Sequence, residues 1–246
     1  MTGFKFVASG LTDVGRERDH NEDTFLVDEE LGLFIVADGM GGHLAGEVAS
    51  ALARDTIAES VKHATTGEEA GKAPRLASLD AAIRLANQRV VREGQANRKQ
   101  KGMGTTVVAM ITDGDAVGIA HAGDSRCYRL REGALKRMTR DHSLIEELGG
   151  DDPAVMAALA SYSNVITRAL GTAADTAPDV RREAAQVGDI FLICSDGLCG
   201  PVDDAAMERL LTEGGTLPEL CTKLIGEANE RGGPDNISVV LVRVDG

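Results

Sequence analysis

The chain has 246 residues, 43% of them hydrophobic and 26% charged, with a formal net charge of −13, the balance of a folded globular protein long enough for one large core or two small ones. Such acidity excludes a nucleic-acid backbone as the partner, because that affinity rests on clustered Lys and Arg that release counterions. With 3% aromatic residues and no Trp, the core is left to Val, Ile, Leu and Ala.

In chain order, β-branched runs bounded by turns predict strands at Phe4–Ser9, Thr24–Asp28 and Gly32–Ala37. Apolar residues at three- and four-residue spacing then predict helices over Gly46–His63 and Ala73–Glu93. The small, charged stretch Thr65–Ala73 between them reads as a surface loop. Arg98, Lys99 and Lys101 form a short basic run that reads as a solvated connection after a helix. Strands follow at Thr105–Thr112, Ala116–Ala122 and Arg126–Arg131, with the turns Thr112–Asp115 and Arg131–Gly133 closing hairpins. Asp141–Asn164 has weak strand signals and Ala-rich helical turns, Ser143–Leu148 and Pro153–Leu159, and reads as an excursion over the surface. The chain closes with strands Arg182–Ala185 and Asp189–Cys194, helices Asp203–Leu211 and Leu217–Glu230, and a last strand Ile237–Val244. Helices grouped between runs of neighbouring strands predict an α+β fold with antiparallel sheets, as one domain over residues 1–246.

The four cysteines, Cys127, Cys194, Cys199 and Cys221, show no C-x-x-C pairing and read as reduced, structural thiols. No apolar run has the length of a membrane span, and the N-terminus lacks the basic, apolar and cleavage regions of a signal peptide. A cytoplasmic location with no membrane partner is expected.

Four aspartates lie where a strand-like run meets a turn of glycine or small polar residues: Asp38, Asp124, Asp196 and Asp235. If the fold brought them together they would repel one another unless a cation sat between them. Around them the motifs Asp13–Asp23, Asp38-Gly39-Met40-Gly41-Gly42-His43, Gly102–Thr106, Gly123-Asp124-Ser125-Arg126, Asp141-His142-Ser143, Val165–Gly171, Ser195-Asp196-Gly197 and Asp235-Asn236 follow in order. In that order they resemble the bacterial PP2C-type (PPM family) metal-dependent serine/threonine protein phosphatases, from about Ser9 to Val244.

The resemblance implies a four-layer αββα sandwich, two antiparallel sheets flanked by helices, with the metal centre in a cleft at one edge. It implies that Asp38 bridges two Mn²⁺ or Mg²⁺ ions, that Gly39 offers its carbonyl oxygen, that Asp196 and Asp235 complete the first ion's ligands, and that Glu22 serves the second. Asp124, with Asp196, matches the ligands of a weaker third ion, and Arg18 the arginine that clamps the phosphate. An oxygen-only set suits these ions, and the absence of clustered His or Cys argues against zinc. The implied reaction is direct attack on phosphorus by a water bridging two cations. The implied partners are phosphorylated proteins, including Ser/Thr kinases and their substrates, acted on by a monomer, with Asp141–Asn164 as a flap over the cleft.

Other readings stay open at this point. Asp23 competes with Glu22 and Arg16 with Arg18, and Asp124 could be structural, paired with Arg126. His121 reads as a hydrogen-bonded core residue; His20 and His142 read as surface or loop residues, and His63 as a helix-surface one. Met40 stands where some animal relatives carry a histidine as general acid, which leaves a bound water or His43 as proton donor. Glycine motifs without the lysine of a nucleotide loop exclude ATP binding. A catalytically silent phosphoprotein-binding module of the same fold is the main alternative; hydrolysis of small phosphate esters or a role in partner switching is the third.

Overall fold

The computed structural model describes residues 4–41, 44–66, 74–149, 162 and 165–246. Strand β1 (Lys5–Asp13) is followed by β2 (Asp23–Asp28), β3 (Leu33–Met40), helices α1 (Leu44–Thr66) and α2 (Arg75–Ala96), and a 3₁₀ turn at Arg98–Gln100. Next come β4 (Gly104–Thr105), β5 (Val107–Asp113), β6 (Ala116–Ala122), β7 (Arg126–Arg131), β8 (Ala134–Arg137) and the short helix α3 (Leu144–Gly149). The chain ends with β9 (Asp179–Ala184), β10 (Ile190–Cys194), α4 (Asp196–Cys199), α5 (Asp204–Thr212), α6 (Leu217–Glu230) and β11 (Ile237–Asp245).

All strand pairs are antiparallel, in two sheets ordered β1-β11-β10-β7-β8 and β2-β3-β5-β6-β9, with β4 attached to β3. Side-chain alternation explains the layers. Leu33 and Ile35 of β3 face α1 and α2 in one apolar cluster, whereas Phe34 and Val36 face the other sheet in a second, which also holds Phe191, Ile193, Val240 and Val242. Leu192, Val239 and Leu241 point the opposite way, into a third cluster with Leu210, Leu220, Leu224 and Ala228 of α5 and α6. Three apolar layers thus separate four structural layers, the αββα sandwich expected. Strands buried on both faces read as continuous Val/Ile/Leu runs, which is why they were legible.

Three local differences have physical causes. The predicted strand Thr105–Thr112 is broken at Thr106, because Thr105 Oγ1 (2.8 Å) and Thr106 N (2.9 Å) both donate to the Asp38 carbonyl and turn the chain around it. Strand β8 is absent from the predicted elements: it is a charged edge strand, closed on β7 by a turn with positive φ at Glu132 (53°) and Gly133 (79°). The single turn α4 also goes unpredicted, being too short for any periodicity. The predicted helix Pro153–Leu159 and most of the loop Thr65–Ala73 lie outside the described residues, as does most of the expected flap, Asp141–Asn164.

Candidate active site

Antiparallel order places the end of one strand beside the start of its neighbour. The register pairs Asp23 with Asp38, Asp13 with Ile237, and Cys194 with both Val239 and Arg126, while Val107 meets Ala122. Asp38, near the end of β3, and Asp124, Asp196 and Asp235, just outside β6, β10 and β11, therefore meet at one edge of the sandwich, as the four strand-end carboxylates suggested.

Their electrostatics are those of an acidic cluster that Arg18 and Arg126 offset only in part. Removal from water, then the charges of Asp23 and Asp196, push the Asp38 carboxyl well above the usual carboxylate range. Burial, then Asp196 and Asp141, push Asp124 up to about 7. Asp196 is raised by burial and by Asp235, against a lowering hydrogen bond from Asp38. Buried Oδ1 atoms of both Asp124 and Asp196 have no hydrogen-bond partner. Carboxylates that lose water and gain no donor are costly to ionise, so the residues present fit a divalent cation with an oxygen-only shell.

Glycine permits the close approach. A Cβ at Gly39 would lie 2.2 Å from the Gly46 carbonyl oxygen and 2.6 Å from that of Glu22, so only glycine brings the ends of β3, α1 and the Glu22 loop together. Glu22 is half-buried, raised in pKa mainly by burial, with its Oε2 over Gly46, whereas Asp23 is buried and accepts a 2.7 Å bond from Ser195 Oγ. Arg18 donates from Nη2 to Asp235 Oδ2 at 2.7 Å and, with Glu17, Asp19, His20, Glu22 and Asn236, lines a cavity of about 310 Å³. Arg16 is exposed and bound through its backbone N–H to the Gly233 carbonyl (2.7 Å).

Asn236 is a residue whose role sequence reasoning missed. Its Oδ1 accepts from Glu22 N–H (2.8 Å) and its Nδ2 donates to the carbonyls of Val14 and His20 (2.9 Å each), tying the Arg18–Glu22 loop to Asp235. The signal available was an amide beside a strand-end aspartate, which is ordinary turn chemistry.

One open alternative closes and one expectation is refined. Arg126 does not pair with Asp124: its Nε and Nη2 hold Asp141 at 3.1 and 2.8 Å, because Asp141 is buried and needs the charge. His142 lies in a loop, as expected, but it is buried rather than on the surface, and it clusters with a second histidine. His121 and His142 stack at 4.6 Å, each 5% exposed, because Gly123 N–H donates to His142 Nδ1 (3.1 Å) while His142 N–H returns to the Gly123 carbonyl (3.0 Å). His121 is the core residue expected, with Nε2 2.8 Å from the Arg140 carbonyl oxygen. Together with Asp179 the two rings place three potential ligand atoms within 4.8 Å of one another, a second group able to hold a divalent ion. Its surroundings differ from those of the acidic edge: Asp179 is already engaged by Arg168 Nη1 at 2.5 Å, and burial lowers the pKa of both imidazoles. His20 and His63 are exposed, and His43 lies outside the described residues.

A family profile described as Protein phosphatase 2C matches residues 15–225. The serine/threonine phosphatase stp of Listeria innocua is 39% identical over 239 residues, covering 94% of this chain and 93% of that protein. The catalytic domain of serine threonine protein phosphatase PstP, solved in complex with two manganese ions, superposes with a TM-score of 0.86 at 35% identity and full coverage of both chains. Serine/threonine phosphatase Stp1 from Staphylococcus aureus gives 0.87 at 31% identity, covering 99% of this chain and 97% of that one. An αββα sandwich with an acidic edge is the frame of a metal-assisted hydrolase. The chain belongs to the protein phosphatase 2C family.

Proposed function

We propose that residues 1–246 form one catalytic domain that hydrolyses phosphoserine and phosphothreonine in proteins, using Mn²⁺ or Mg²⁺, with two core ions and a weaker third. The observation that carries this is the meeting of Asp38, Asp124, Asp196 and Asp235 at one edge, with two buried carboxylate oxygens lacking any donor, beside the Arg18 cleft. Asp38, the Gly39 carbonyl, Asp196 and Asp235 would hold the core ions with Glu22, and Asp124 with Asp196 the third. When bound, the cations supply Lewis acidity, making a water acidic enough to attack phosphorus directly and offsetting phosphoryl charge.

The chain's own groups bind and orient. The Arg18–Asp235 pair is 52% and 34% exposed, and pairs this open contribute about 0–1 kcal/mol. Arg18 can therefore exchange one carboxylate oxygen for two phosphoryl oxygens at little cost, and its planar fork fixes the phosphate's orientation. Ser195 spans the back of the site, its hydroxyl donating to Asp23 at 2.7 Å and accepting from Ser238 N–H at 2.9 Å, which ties β10 and β11 to the start of β2. Met40, paired with Gly104, offers no proton to the leaving hydroxyl.

Catalysis is favoured over a silent binding module by the intact carboxylate set and by the similarity to serine/threonine phosphatases. Partners of matching chemistry are phosphorylated proteins, including Ser/Thr kinases and their substrates, met by a monomer in the cytoplasm. Among the described residues no helix is long and apolar enough to cross a membrane. The test is phosphate release from a phosphothreonine peptide with Mn²⁺, with EDTA, and in Asp38→Asn and Asp235→Asn. Release that requires Mn²⁺ and collapses in both variants is expected; inactivity of folded wild-type protein on several phosphopeptides with either ion would leave only the binding module.

A further inference from the structure

Away from the acidic edge, the basic run Arg98, Lys99, Lys101 has a setting the phosphatase reading does not use. A cavity of about 400 Å³ opens between the C-terminal end of α2 and the loop 171–174. Val91, Met103, Ala173 and Ala174 give it apolar walls, and Arg98 and Lys101 give it cations. Both are exposed, and among the described residues neither has a hydrogen-bond or ion-pair partner for its charged end, in a chain of net charge −13 whose arginines are mostly paired.

The cavity wall is built rather than incidental. Asn87, 1% exposed on α2, accepts from Gly171 N–H at 2.8 Å and donates to the carbonyls of Ala173 (3.1 Å) and Ala174 (3.3 Å). Those two carbonyls are thereby turned onto α2, so they do not compete with a ligand anion for Arg98 and Lys101. The opposite wall is continuous in sequence with the acidic edge, through buried residues. Met103 and Gly102 precede β4, where Gly104 and Thr105 pair with Met40 and Gly39, and Thr105 Oγ1 donates to the Asp38 carbonyl at 2.8 Å. Two residues of extended chain span about 7 Å, and three residues of an extended peptide span about 10 Å.

We propose that this cavity is a specificity subsite for a Glu or Asp side chain of the phosphoprotein substrate, about three residues from the phosphorylated one, with Arg98 and Lys101 as the recognising cations. The inference rests on the phosphatase reading. A glutamate fits both parts of the cavity: its methylene stem lies along Val91 and Ala173 while its carboxylate takes the planar fork of Arg98. Local cations also answer a physical need, since an acidic protein repels acidic peptides at long range.

The experiment compares kcat/KM for phosphothreonine peptides that carry Glu, Ala or Lys three or four residues to either side, using wild type, Arg98→Ala/Lys101→Ala and Arg98→Glu/Lys101→Glu. A small aryl phosphate, which cannot reach the cavity, is the control. Two partly exposed charge contacts give a Glu-over-Lys preference of about threefold to tenfold, carried in KM. That preference should fall to about unity in the alanine variant and reverse in the glutamate variant, with aryl phosphate turnover unchanged. Polarisation of labelled, non-hydrolysable phosphonate peptides should give the same ratios without turnover. A wild type indifferent to Glu, a ratio that survives both variants, or a preference only for a second phosphothreonine would overturn the subsite. Silence of the aryl phosphate control with Mn²⁺ would instead remove the phosphatase reading, and the subsite with it.

Discussion

Asp124→Asn probes whether the acidic edge is a set of charges that only a cation relieves. Burial first, and then Asp196 and Asp141, raise this carboxyl from 3.8 to about 7. The folded-state value lies above the unfolded one, so the folded chain keeps a proton that the unfolded chain has released. The stability contribution is fully present below about pH 4 and is lost as pH rises through about 7. At about 1.4 kcal/mol for each tenfold change in proton affinity, the interval amounts to roughly 4 kcal/mol. The part of it that falls between pH 5 and pH 8 is about 2.7 kcal/mol, and relaxation and water entry reduce that to about 1 to 2.5 kcal/mol as the expected difference. Urea unfolding in EDTA at pH 5 and pH 8, on wild type and variant, reads it directly. Wild type should lose more stability between the two pH values than Asp124→Asn, and Mn²⁺ should recover more for wild type at pH 8. Parallel pH dependence of the two proteins in EDTA would refute the reasoning.

Three further outcomes are expected. Gly39→Ala drives a Cβ to 2.2 Å from the Gly46 carbonyl oxygen; since backbone must move, unfolding should come about 2 to 3 kcal/mol earlier and Mn²⁺-dependent phosphate release should fall roughly a hundredfold. Asn236→Ala frees Glu22 N–H and the carbonyls of Val14 and His20; calorimetric titration should show Mn²⁺ affinity weakened about tenfold, with unfolding about 2 kcal/mol easier. The four cysteines are free and buried, and burial holds the Cys127 thiol up at about 12 and Cys221 at about 11. A thiol reagent at pH 8 should therefore leave the native chain unlabelled and modify all four after urea is added.

Much of this was legible because the informative residues sit at strand ends. A Val/Ile run names a strand buried on both faces, and the Asp-Gly that follows marks where it stops, so Asp38 and Asp196 could be placed from short windows. What was not legible depends on contacts between distant segments. The break at Thr106 is caused by Asp38, 68 positions away, whose carbonyl accepts from Thr106 N–H and whose N–H donates to Thr106 Oγ1. His121 and His142 read as unrelated because their stacking depends on Gly123, whose N–H and carbonyl both meet the second histidine. Asn236 looked like turn punctuation, although its amide holds the Glu22 loop. Arg126 looked like a partner for Asp124 because the two are near neighbours in sequence, whereas the buried Asp141 claims it.

The most direct measurement is anomalous scattering at the manganese edge from crystals grown with Mn²⁺. Peaks among the carboxylates of Asp38, Asp196 and Asp235 and the Gly39 carbonyl, absent in Asp38→Asn, are the expected result. Manganese found instead between His121, His142 and Asp179, with the acidic edge empty, would contradict the assignment of the catalytic metals.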